Sequence, residues 1–181
     1  MSIMLSIEKT VEIPSDVEII IDGRRVTARG PKGELTRDFS HSLVEISLEE
    51  GIVKVRKEWP RKKESAVVGT VRSLIENMII GVKEGFTYRL KMVFAHFPVS
   101  VKTDQDRVII ENFAGQRRTI IVKIIGSSKV SVEGDDVIVQ GINLEEVSQT
   151  AANIEQAARV RRKDPRVFLD GIYVYEKSVG M

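Results

Sequence analysis

No cysteine occurs anywhere in the 181 residues. That excludes disulfides, thiolate metal sites and thiol nucleophiles, and it fits a reducing cytoplasm. Histidine occurs only twice, at His41 and His96. Neither stands at metal-ligand spacing from a carboxylate cluster. His41 lies in "DFSHS", but a catalytic triad converges through tertiary structure, not along the chain. Both histidines are read as loop or packing residues. No run approaches 18 uninterrupted apolar residues, so neither a membrane helix nor a membrane partner is expected. The opening "MSIMLSIEKTVEIP" has no basic n-region and meets acid and proline early, so no signal peptide is expected. Two glycine loops, "RGPKGE" and "NFAGQRR", lack the pattern of a P-loop and the context of a dinucleotide site. Their glycines are read as turn residues, with anion contact through their amides as the alternative. No catalytic, cofactor-binding or metal residue is assigned, no cofactor is implied, and the chain is not read as an enzyme.

A net charge of +2 is also too small to announce a nucleic-acid binder. The distribution carries more. Lys54, Arg56, Lys57, Arg61, Lys62 and Lys63 face a single acid, Glu58, within ten residues. Arg159, Arg161, Arg162, Lys163, Arg166 and Lys177 form a second run, diluted by Asp164, Asp170 and Glu176. Either run can be a solvated face or a partner surface.

What is present in full is a repeat. "IPSDVEIIIDGRRVTARGPKGE" and "FPVSVKTDQDRVIIENFAGQ" share an apolar-Pro start, a strand, a turn, a second strand and a glycine loop. The turns fall at Asp22-Gly23 and at Asp104-Gln105-Asp106. A second hairpin follows in each half, turning at Glu50-Gly51 and near Gly134, with period-2 alternation at Val44, Ile46, Leu48 and at Val130, Val132. A helix closes each half. In the first, Val67, Val71, Leu74 and Met78 lie at helical spacing with Val68, Ile75 and Ile79 beside them, and Gly81 is the expected stop. In the second, Asn143 and Glu146 form the N-terminal cap, and Val147, Ala151, Ile154 and Ala158 form the buried stripe. The fold class is α+β: two tandem duplicated domains, each an antiparallel β-sheet with one helix packed on one face. The boundaries are residues 1–82 and 83–181.

The basic residues make a better case than the histidines. Arg117 and Arg118 follow a turn, Arg161, Arg162 and Lys163 end the second helix, and Arg166 follows Pro165. Arginine grips phosphate oxygens with two donors, although cations at a helix C-terminus also complement its dipole. Tyr173 and Tyr175 alternate with Ile172 and Val174, so one pair faces the core and the other faces out. An outward tyrosine among arginines can stack on a base, or be an edge-strand residue. These residues favour a binding module over an enzyme without naming the ligand.

Gln156, Val160, Lys163, Arg166, Phe168, Asp170-Gly171-Ile172-Tyr173-Val174 and Lys177 stand at a spacing that resembles the L6 family of large-subunit ribosomal proteins, in its archaeal and eukaryotic branch. "VEIPSDVEI", "VTARGPKGEL", "NMIIGVKEGFTYR", "AHFPVSV" and "SQTAANIEQA" are similar to that family too. The resemblance spans essentially the whole chain, and its size without a long lysine-rich extension fits an archaeal source. It implies two duplicated α/β domains and a structural, non-catalytic role in translation. It implies binding of large-subunit ribosomal RNA, mainly through the C-terminal domain. The implied place is near the stalk base, beside neighbouring ribosomal proteins and the region that engages translational GTPases, in the cytoplasm. Within the motif it points to Lys163, Arg166, Asp170, Gly171 and Tyr173 as the RNA-facing segment. RNA backbone would approach closely at Gly171. Arg117, Arg118, Arg161, Arg162 and Lys177 complete the expected RNA-binding set. The alternative is a non-ribosomal protein–protein scaffold of two sheet–helix domains.

Overall fold

The computed structural model describes residues 6–95, 97–160, 164 and 167–181. His96, Arg161, Arg162, Lys163 and Arg166 therefore lie outside the described residues. The chain divides into two compact units, Met1–Glu84 and Gly85–Met181.

Unit 1 runs β1 (Ser6–Glu12), β2 (Glu18–Asp22), β3 (Arg25–Gly30), β4 (Gly33–Asp38), β5 (Glu45–Glu49), β6 (Ile52–Glu58) and α1 (Lys62–Lys83). All pairings are antiparallel, and they form two sheets in the orders β1-β6-β5 and β2-β3-β4. Short turns set the registers. Glu50 and Gly51 both take positive φ, 49° and 80°, the arrangement of a two-residue loop whose twist matches its strands. Gly23, at φ 60°, opens the β2–β3 loop.

α1 packs on β1, β3, β4 and β6. Its buried face is Val68, Val71, Ile75, Met78, Ile79 and Val82. It meets Val26, Phe39, Val53 and Val55, all fully buried. The stripe is centred one residue further along than the spacing predicts, and Val67 is 37% exposed. Apolar residues occupy much of the helix circumference, so periodicity alone does not choose the inward face; the strands beneath do. By length and composition α1 also resembles a membrane-crossing helix, with a mean hydropathy of 1.3 over 18 residues; here that apolar face covers the core of unit 1. Gly81 does not stop the helix. It is buried inside α1, and the stop falls at Gly85, whose φ of 82° suits the position after the C-cap Glu84. The "RGPKGE" loop serves the same helix end. Lys32 donates its backbone N–H to the Val82 carbonyl at 2.9 Å, and a Cβ on Gly30 would lie 2.6 Å from that oxygen.

Unit 2 repeats the plan strand for strand: β7 (Phe86–Val93), β8 (Ser100–Asp104), β9 (Arg107–Glu111), β10 (Ile120–Lys123), β11 (Lys129–Glu133), β12 (Asp136–Gly141) and α2 (Leu144–Ala157). A final strand, β13 (Gly171–Val179), comes after the helix. The sheets read β10-β9-β8 and β11-β12-β7-β13. β7 to β12 pair as β1 to β6 do, and β13 adds to the free edge of β7, with no counterpart among the described residues of unit 1. The α+β class and the tandem sheet-and-helix plan thus hold, with the strands of each unit divided between two sheets. Asn143 caps α2 as its sequence implies: its side chain accepts from the Glu145 N–H at 3.0 Å and donates to Glu146 at 3.1 Å. Val147, Ala151, Ile154 and Ala158 are buried. Thr150 joins them, its hydroxyl accepting from the Ile125 N–H at 3.1 Å.

Candidate nucleic-acid interface

The sequence after β9 folds back sharply. Asn112, Ala114 and Gly115 all take positive φ, at 57°, 52° and 72°. Left-handed backbone at alanine is costly and persists only where its surroundings impose it. Buried Phe113 anchors the turn, the Asn112 amide donates to the Pro98 carbonyl at 3.0 Å, and the Phe97 ring fills the space beside Gly115, 3.1 Å from where a Cβ would stand. The turn presents Gln116, Arg117, Arg118 and Thr119 in succession, all exposed.

Across from it, α2 ends at Ala157 and buried Ala158 closes it. The sequence places Arg161–Lys163 at the end of this helix, and those residues lie outside the described ones. Arg159 and Val160 come directly after the cap. Further on, Val167 and Phe168 both donate backbone N–H groups to the Asp164 carbonyl, at 3.1 and 3.0 Å. These three segments enclose a groove of about 640 Å³, lined by Gln116, Arg118, Thr119, Arg159, Phe168 and Asp170 among others. Arg118 and Arg159 both line it, and no ion pair engages either among the described residues.

Of the residues singled out from the sequence, Arg118 and Asp170 meet in this groove. Arg117 is exposed on the same turn but does not line it. Asp170 and Gly171, expected to face RNA, are buried instead. Asp170 is 8% exposed, and its carboxylate accepts the Ala95 N–H at 2.9 Å, tying the segment to the end of β7. The open side of Gly171 is filled by Tyr173, whose ring would lie 2.6 Å from an added Cβ and whose hydroxyl donates to the Leu169 carbonyl at 3.2 Å. That space admits a side chain of the same strand, which leaves no close approach for another backbone.

Tyr173 is 41% exposed and pairs with Lys91, while Ile172 and Val174 pair with Met92 and Leu90 on the opposite, core-facing side. Strand parity would place Lys177 with the tyrosines. A β-bulge at Tyr175 inserts one unpaired residue and reverses that parity. Lys177 consequently pairs with Tyr88 and sets its ammonium 5.4 Å from that ring's centre, a cation–π contact. Arg159, Gln116 and Thr119 also line the groove, although their sequence context does not single them out for it. Arg159 is visible in the sequence as part of a basic run, but where α2 stops decides where its side chain goes.

Unit 1 carries a second, apolar groove of about 330 Å³ between the β4–β5 connection and α1, lined by Phe39, Leu43, Val67, Val71 and Leu74 with His41 at its side. Leu43 is 62% exposed there, and His41 is an exposed turn residue.

Fold and groove together define a duplicated α+β protein whose second copy has gained a strand and an arginine-lined cleft. The family model described as "Ribosomal protein L6" matches residues 13–85 and 97–171. The chain is 48% identical over 178 residues to "Large ribosomal subunit protein uL6" of Methanobrevibacter smithii, covering 98% of this chain and 100% of that protein. It is 49% identical over 175 residues to the protein of the same name from Archaeoglobus fulgidus, covering 94% and 89%. The match to that of Desulfurococcus amylolyticus is 47% over 181 residues, covering 98% of each. The chain belongs to the ribosomal protein L6 family.

Proposed function

We propose that this chain is a non-catalytic component of the archaeal large ribosomal subunit, in the cytoplasm, which binds large-subunit ribosomal RNA through its second unit. The observation that carries the reading is the near-full-length identity to large-subunit proteins. The Arg118–Arg159 groove supplies a physical means. Guanidinium groups that no carboxylate engages among the described residues exchange counterions for RNA phosphates, and folded RNA is recognised by its shape and 2′-hydroxyls. Arg117 extends this surface, and exposed Tyr173 adds a stacking face on β13. Asp170 and Gly171 act by positioning: one pins the segment to β7, the other admits Tyr173. Lys177 contributes charge on the other face of the strand. Lys163 and Arg166 enter the reading through their sequence motif, and Arg161 and Arg162 through the basic run beside it. The family's place near the stalk base, beside neighbouring ribosomal proteins and the region that engages translational GTPases, is part of the same proposal. So is the division of labour between domains 1–82 and 83–181.

The decisive experiment is sedimentation. The protein cosediments with large subunits and stays bound through a high-salt wash. Release into the free-protein fraction at moderate salt favours the second reading, a protein–protein scaffold, for which the apolar groove at Leu43 and Val67 is the supporting observation.

A further inference from the structure

Unit 1 carries a surface that the unit 2 groove leaves unused. Between β6 and α1 the chain reads Glu58-Trp59-Pro60-Arg61-Lys62-Lys63. Trp59 is the single tryptophan of the protein, and it is 63% exposed. Its φ is 49°. A positive φ is a rare state for a bulky residue, and a residue immediately before proline is steered toward extended backbone. The fold therefore holds a large aromatic out in water on a strained connection.

Beyond Pro60 stand cations that no ion pair engages among the described residues. Arg61, Lys62 and Lys63 are exposed, and the neighbouring acids are already engaged: Glu58 pairs with Arg56 at 2.8 Å, and Glu64 accepts the Arg61 backbone N–H at 2.7 Å. Glu64 thereby reaches back to the backbone of Arg61, the N-cap of α1. Cations at this end of a helix also oppose its dipole. Strain, an exposed indole and a cluster of exposed cations thus coincide on one short connection, where folding alone favours none of them.

We infer that Trp59 with Lys62 and Lys63 forms a second nucleic-acid contact, separate from the unit 2 groove, that takes unpaired nucleotides. The base stacks on the indole, and the lysines hold adjoining phosphates. Base–aromatic stacking beside a basic track is how single strands are held without sequence reading. A protein-binding tryptophan sits instead at the centre of an apolar patch depleted of charge, and here its flanking residues are basic.

The single tryptophan makes the test direct. The full-length chain is titrated with an eight-nucleotide oligouridine while Trp59 fluorescence and acrylamide accessibility are monitored. The expected result is saturable quenching and shielding that weaken as salt rises. Lys62→Glu with Lys63→Glu reduces the apparent affinity about tenfold or more, and Trp59→Leu, read by filter binding, reduces it about 5- to 100-fold. The same titration on an Arg118→Ala, Tyr173→Ala background leaves the Trp59 signal intact. Loss of the unit 2 reading shows separately, as unchanged affinity of that background for a folded ribosomal RNA fragment. The inference is overturned if Trp59 stays equally accessible at saturating oligouridine, if the unit 2 substitutions abolish its quenching, or if only an acidic peptide shields it, which would make the surface a protein contact.

Discussion

Gly171 and Tyr173 fix each other. The glycine leaves room for the ring, and the ring's hydroxyl is held by the Leu169 carbonyl. Because Tyr173 can rotate outward, Gly171→Ala costs little more than that hydrogen bond, about 1 kcal/mol. Tyr173→Ala in the same chain removes most of this penalty, a coupling that a double-mutant cycle in urea measures. Gly30 is the opposite case. Its missing Cβ would meet the Val82 backbone carbonyl, which cannot swing aside. Gly30→Ala therefore destabilises unit 1 by about 1–3 kcal/mol, visible as a lowered urea midpoint.

At the scale of the element, α1 shows how a helix face is chosen. Ile75 is fully buried and Val67 is more than a third exposed. Ile75→Ala is expected to cost about 2–5 kcal/mol, whereas Val67→Ala changes stability by less than about 0.5 kcal/mol, aided by the better helix propensity of alanine. Equal losses at the two positions would refute the observed facing. β13 makes the parallel point for strands. Its bulge at Tyr175 sends Tyr173 and Lys177 to opposite sides, so they cannot act as one patch although simple alternation groups them.

For the whole molecule, a net charge of +2 conceals a strongly uneven surface. The proposed RNA function then predicts a steep salt dependence despite near-neutrality. Filter binding to a large-subunit RNA fragment should give a linear fall of log K with log salt, and Arg118→Ala should shallow that slope by about 0.7–0.9, the contribution of one phosphate contact. A slope unchanged by the substitution would remove Arg118 from the interface. The duplication frames the same point: two copies of one plan carry different surfaces, an apolar groove in the first and an arginine-lined one in the second.

The repeat, its hairpin turns, the α2 cap and the want of thiol chemistry were determined by the sequence itself. Each depends on local preference: positive φ at Gly23 and Gly51, an Asn143 side chain within reach of its own helix, strands alternating over a few residues. The basic C-terminal segment was legible as a motif. Only tertiary structure decided that α1 turns Val68 rather than Val67 inward, that Asp170 and Gly171 are buried, that Arg159 joins Arg118, and that Lys177 leaves the tyrosine face. Those outcomes depend on which side chains wait across a sheet or a turn. A burial or a groove is a relation between distant residues, and local pattern does not specify its far side.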